Sequence, residues 1–158
     1  MADYLINLFS NVFPSEIVIF ILSLIPTIEL RGGILAAKFL NVEMIKAFFI
    51  CFFGTLVPIP FVLLFLEKIM DFFKNTKFVQ WLNRKAEKNR GKIEKYKTFG
   101  LMLFVAIPLP GTGAWTGALA AVVLKMDIKH AALSIIVGSL IADIIMCLVS
   151  YGALGLIF

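Results

Sequence analysis

The sequence predicts an all-α integral membrane protein. Two inverted repeats, each a re-entrant helical hairpin plus a transmembrane helix, are joined by a basic amphipathic cytoplasmic segment. Three observations lead there. Hydrophobic residues make up 61% of the 158 positions and the mean hydropathy is +0.98, whereas a soluble domain carries about 45–50% apolar residues. Several apolar segments are interrupted near their middles by charged or Pro/Gly-rich turns. The excess positive charge lies in one connection between two apolar halves.

Taken in order, Tyr4 to Phe13 is short, follows Asp3 and precedes Pro14, which suits an interfacial or partly buried helix. Ile17 to Ile28 then gives only 12 uncharged positions before Glu29-Leu30-Arg31-Gly32-Gly33, with Ile34 to Leu40 adding a few more. A bilayer-spanning helix needs about 20 mostly apolar residues. The interrupted segment therefore reads as a re-entrant hairpin with the charges at its tip. Ala47 to Leu66 is an uninterrupted run of 20 uncharged residues, long enough to span, in which Pro58 and Pro60 predict a kink or break. Thr98 to Leu124 is uncharged for 27 residues but broken by Pro108-Leu109-Pro110-Gly111-Thr112-Gly113. His130 to Phe158 holds one charge, Asp143, and can span.

The connector, residues 67–97, holds ten basic and four acidic side chains, a net +6 against +5 for the whole chain. The positive-inside rule places it on the cytoplasmic side. Phe72, Phe73, Phe78, Trp81 and Leu82 give its first half an apolar side, as in a helix lying among lipid headgroups. Nucleic-acid binding is excluded, since it would ignore the flanking spans. The single membrane domain thus divides into residues 1–66 (a first repeat with a short N-terminal helix), 67–97 (the connector) and 98–158 (the second repeat). The first Lys or Arg is Arg31, so no basic leader region is expected and the apolar segments stay in place.

The halves resemble each other. Ile25-Pro26 recurs as Ile107-Pro108, and at a fixed offset of 84 Gly33 matches Gly117, Ala36-Ala37 matches Ala120-Ala121, Leu40 matches Leu124, Ala47 matches Ala131 and Gly54 matches Gly138. A hairpin that returns to its own side plus one crossing helix makes an odd number of crossings, so two such units are inverted, as in many secondary transporters. Interrupted segments that spanned fully would instead make the halves parallel, and the mid-segment positions of the two turns favour hairpins.

Arg31-Gly32-Gly33 carries the chemistry. Glycines allow close backbone approach, a helix starting near Ile34 would aim free N–H groups and its positive dipole end at the turn, and a guanidinium fork suits phosphate or carboxylate. An anion site follows, with phosphate favoured. Glu29 is either a proton-coupling carboxylate or the counter-ion of Arg31. In the second turn Pro110, Gly111, Thr112, Gly113 and Trp115 form an uncharged loop that binds through backbone N–H groups or lets the two tips pass closely. Trp115 is an interface anchor or a cavity wall. Asp143 is a proton or cation site, or the salt-bridge partner of Arg31. Cys51 and Cys147 read as packing residues, and His130 as interfacial. Their spacing supplies no metal set and no Ser/His or Cys/His pair, so neither a cofactor, a metal nor an enzyme is expected. Glycines on apolar faces favour close helix packing, and a homo-oligomer is expected.

Glu29-Leu-Arg-Gly-Gly33, followed by Pro108-Leu-Pro-Gly-Thr-Gly-Ala-Trp115, resembles the small multi-drug export protein family of prokaryotes, which looks like a distant branch of the DedA/VTT superfamily. The resemblance implies two opposed re-entrant hairpins, each followed by a spanning helix, in a prokaryotic cytoplasmic membrane. It implies lipid movement, including undecaprenyl phosphate, driven by proton-motive force, with the acidic residue of the first hairpin at Glu29. The expected function is a transporter or flippase for an anionic-headed amphiphile such as a polyprenyl phosphate, with membrane lipids as partners. The alternatives are export of lipophilic cationic drugs and a non-transporting scaffold of the membrane.

Overall fold

The computed structural model describes residues 13–72, 90–109 and 111–153, and every regular element among them is helical. The expectations for Tyr4 to Val12, for Phe73 to Leu82 and for Pro110 lie outside the described residues.

Helix α1 (Ser15–Leu24) starts after Pro14 and carries Glu16 in its first turn, where the helix dipole favours an acid. It stops at Ile25, which is extended (ψ 127°) as a residue before proline prefers. Helix α2 (Glu29–Phe39) follows after a four-residue turn. Glu29 is thus inside the helix, and the expected start near Ile34 is corrected by one and a half turns. Asn41 (φ 55°) closes α2 in the left-handed region, and the Val42 amide reaches back to the Ala37 carbonyl at 2.9 Å. Helix α3 (Met44–Leu56) gives way at Val57-Pro58 to α4 (Ile59–Phe72), the break that the prolines predict.

Helix α5 (Arg90–Ala106) begins within the basic connector, and α6 (Ala114–Val123) follows the second turn. Its closure copies that of α2: Lys125 has φ 51° and the Met126 amide reaches the Ala121 carbonyl at 2.9 Å. Helix α7 (Ile128–Cys147) is capped by Asp127, whose carboxylate accepts the Lys129 amide at 3.1 Å, and runs into a π-helical turn, Leu148–Ala153. Two helical stretches, Met44–Phe65 and Ile128–Gly152, are long and apolar enough to cross a bilayer. Large side chains such as Phe49, Phe53, Phe61, Phe65, Leu133 and Ile144 point outward, a surface suited to acyl chains rather than water.

Each half packs short helix, short helix and long helix together, and each borrows from the other. Helix α1 packs on α2 and α3, and α5 on α6 and α7. The first core joins Val18, Ile19, Leu30 and Ile34 to Ala142 and Met146 of α7; the second joins Leu101, Val105 and Ala118 to Ile59 and Leu63 of α4. Close contacts repeat at the sequence offsets. A Cβ on Gly54 would meet the Ser23 Cβ at 2.9 Å and the Phe20 carbonyl at 3.1 Å, and one on Gly138 would meet the Val105 Cβ at 2.8 Å and the Met102 carbonyl at 2.6 Å. The repeated glycines are points where a long helix lies against a short one.

Helix α7 starts at the Lys125 turn and ends beside the Asn41 turn. There the Tyr151 hydroxyl donates to the Val42 carbonyl at 2.7 Å, and the Lys38 ammonium sits 5.3 Å from the Tyr151 ring centre. The two turns are therefore separated by the length of a 20-residue helix, about 30 Å at 1.5 Å per residue.

Candidate functional site

The start of α2, just after the turn Ile25 to Ile28, meets the loop between α5 and α6, and its two charged side chains bind the helix ends that flank that loop. Glu29 adopts φ 49°, a left-handed conformation costly for a side chain without special hydrogen bonding. Its carboxylate is aimed at the N-terminus of α6: Oε2 accepts the Ala114 amide at 3.1 Å and Oε1 the Trp115 amide at 3.0 Å. Gly113, the N-cap of α6, has no side chain to cap the helix. Glu29 supplies the cap from the other half, at the end where the helix dipole favours negative charge. A Cβ on Gly113 would collide with that carboxylate, so the approach exists only with glycine there.

Arg31 serves the opposite helix end. Its Nη1 donates to Glu29 Oε2 at 3.1 Å, and its Nη2 lies within reach of the carbonyls of Val105 (3.3 Å), Ile107 (3.0 Å) and Thr112 (2.8 Å) and of the Thr112 hydroxyl (3.2 Å). The first two carbonyls belong to the C-terminal end of α5, where unpaired acceptors and the negative dipole end attract a cation. Thr112 holds the loop in shape, its hydroxyl donating to Ile107 O at 2.6 Å and lying 2.9 Å from Leu109 O. The pair is shielded, with side-chain exposures of 14% for Arg31 and 5% for Glu29, so a screened surface ion pair is the wrong comparison.

Beside this tie opens a cavity of about 580 Å³ lined by Thr27, Glu29, Arg31, Leu35, Gly113 and Thr116, among others, with Met146 of α7 on its wall. Of the residues expected at the site, Glu29, Arg31, Gly32, Gly111 and Gly113 line it, and Thr112 and Trp115 enter through the bonds above. Gly33 does not: it is buried against Ser23 and Cys51. The Gly32 amide donates within its own helix, to the Ile28 carbonyl at 3.0 Å. The amides that hold an anion are those of Ala114 and Trp115, from the other half. The Trp115 ring packs against the second core.

Of the two expectations for Asp143, the salt bridge to Arg31 is not formed. Arg31 is committed to Glu29 and the α5 end, and both oxygens of the fully buried Asp143 carboxyl have no hydrogen-bond partner among the described residues. Cys51 and Cys147 are buried free thiols, and His130 is exposed beside Asp127 at 3.2 Å. Thr116, a hydroxyl of the second turn, is on the wall, whereas sequence reasoning missed the wall residues Thr27, Leu35 and Met146. It also missed the acceptors at Val105 and Ile107, which are backbone atoms and leave no residue-type signal.

A model of the family described as "Putative small multi-drug export protein" matches residues 29–145. The chain belongs to this family. The match opens on Glu29 and includes Arg31, the second turn and Asp143, so both charged side chains of the tie and the helix ends they bind lie within the matched segment. Membership gives a membrane protein of a general transport class rather than an enzyme class. Neither the search of curated proteins nor that of solved structures returned a match.

Proposed function

We propose that the protein is a transporter of amphiphiles with an anionic head, such as a lipid phosphate, built from two opposed re-entrant hairpins whose tips meet at mid-membrane. One observation carries the reading. A carboxylate, that of Glu29, is already held by a guanidinium and two helix-terminal amides on the wall of a largely apolar cavity. Phosphate and carboxylate heads use the same donors. Glu29 is then the resident anion that a substrate head replaces, and the apolar wall takes the tail.

The hairpin reading is supported by the short lengths of α1 and α6, 10 residues each, and by the placement of the Asn41 and Lys125 turns at opposite ends of α7. Opposed hairpins put irregular backbone at mid-depth only where protein covers it. The basic connector fits the cytoplasmic face of a prokaryotic inner membrane, and the same architecture supports the superfamily link to lipid carriers.

Liposomes loaded with a fluorescent polyprenyl phosphate analogue test it. Wild-type protein moves the analogue between leaflets, and Arg31→Ala does not while remaining folded in detergent. Undiminished movement by folded Arg31→Ala overturns the anion site. A second reading, export of lipophilic cations, is favoured by Asp143, an acid without a partner among the described residues, and by the family's description. Binding of a lipophilic cation without binding of the phosphate analogue selects it.

A further inference from the structure

We propose that Asp143 is the proton-binding carboxyl that couples transport, taking up and releasing its proton as the seam between the two halves closes and opens; this rests on the transporter reading above. Asp143 is 0% exposed on α7, and neither of its oxygens meets a donor among the described residues. An ionised carboxylate in such a place forfeits its hydration and receives nothing in return, so the carboxyl is neutral in this conformation.

The groups around it leave the proton as the available counter-charge. Cys51 on α3 and Cys147 one turn along α7 lie within its electrostatic reach. On α2, Arg31 and Glu29 bind each other, and Lys38 lies over the Tyr151 ring. On α5, Lys97 donates to the Leu124 carbonyl at the far end; Lys68 on α4 and Lys46 on α3 are exposed; α6 carries no charged residue. Among the described residues no group of three acids, cysteines or histidines is placed to hold a metal ion.

The seam supplies a route. Ser139, Asp143, Cys147 and Ser150 follow one another along a buried stripe of α7 and its π-helical turn, and the Ser139 and Ser150 hydroxyls also have no partner. Buried hydroxyls of that kind recruit water, and π-helical turns recur at functional positions. Met146, three residues from Asp143, lines the cavity that holds Glu29 and Arg31. A movement of α7 that admits substrate to the cavity also changes the surroundings of Asp143.

The test uses full-length protein in detergent and in liposomes. Dicyclohexylcarbodiimide adds to un-ionised carboxyl groups in apolar surroundings. Peptide mass spectrometry of treated wild type should find the adduct on Asp143 at neutral pH and less of it as pH rises. Infrared spectra should show an un-ionised acid carbonyl band that Asp143→Asn, an isosteric change, removes while keeping the protein folded. In liposomes, Asp143→Asn should lose substrate-driven proton movement, whereas Leu119→Trp, on α6 and outside the cavity lining, should keep it. An ionised, unlabelled Asp143 overturns the proposal. So does protection of Asp143 by sodium at constant pH, or unchanged proton movement in Asp143→Asn. If wild type moves no phosphate analogue while Asp143 still labels and titrates, the transport reading fails and the proton site stands.

Discussion

Glu29 caps a helix that begins 85 residues downstream: its carboxylate accepts the Ala114 amide at 3.1 Å and, with its other oxygen, the Trp115 amide at 3.0 Å. Arg31, two residues along, binds the end of α5 on the other flank of the same turn. The start of α2 has charges and the loop between α5 and α6 has free helix ends, so each completes the other. Burying either alone would leave an uncompensated charge or unpaired amides.

The contact makes Gly113 a position where a side chain cannot be added without displacing the Glu29 carboxylate. Gly113→Ala drives a methyl group into the Glu29 carboxylate and should lower stability by about 1–3 kcal/mol, as overpacking does. Gly100→Ala, on an exposed helical position where a Cβ meets nothing within 4 Å, should be neutral or stabilise by up to about 1 kcal/mol. Thermal unfolding in one detergent compares the two, and equal midpoints would refute the contact.

Removing half of the charge pair should cost more than removing both. Glu29→Gln leaves Arg31 without its carboxylate, and Arg31→Gln leaves Glu29 with amide donors only; each should destabilise by about 3 kcal/mol as broken buried pairs do. A double-mutant cycle on thermal stability measures the coupling. Additive losses would mean that the two side chains act independently.

Filling the cavity should stop transport without unfolding the protein. Leu35 is on the cavity wall and half-exposed, so Leu35→Trp has room to place its ring there. Leu119 on α6 is comparably exposed but does not line the cavity, and Leu119→Trp serves as the control. Liposome flux should be lost in the first variant and kept in the second.

The proposed opposed hairpins would place the α2–α3 and α6–α7 turns on opposite faces of the membrane. Glu43 and Lys129 are exposed beside these turns, whereas the native Cys51 and Cys147 are buried. An impermeant maleimide added from one side should label Glu43→Cys or Lys129→Cys, never both. Labelling of both from one side would reject the inverted arrangement.

Apolar run lengths read from sequence identified helices and interruptions, because 12 uncharged residues before Glu29 are too few to span and Pro58 must break a helix. The offset of 84 pointed to paired positions, and the glycine contacts at Gly54 and Gly138 give that pairing a physical cause. The start of α2 was misread because two successive glycines weaken a helix only when tertiary packing does not hold it, and Gly33 is packed against Ser23 and Cys51.

The sequence by itself determined an apolar helical chain, the place of its turns, and the charges Glu29, Arg31 and Asp143 set within apolar segments. Only the tertiary structure decided how the charges are used. Glu29 takes amides of a distant helix, Arg31 takes backbone carbonyls, and Asp143 is left without a partner among the described residues. Residue types announce a charge, but backbone amides and carbonyls are the same at every position. Which of them stand unpaired at a given depth is set by where helices end and which ends meet.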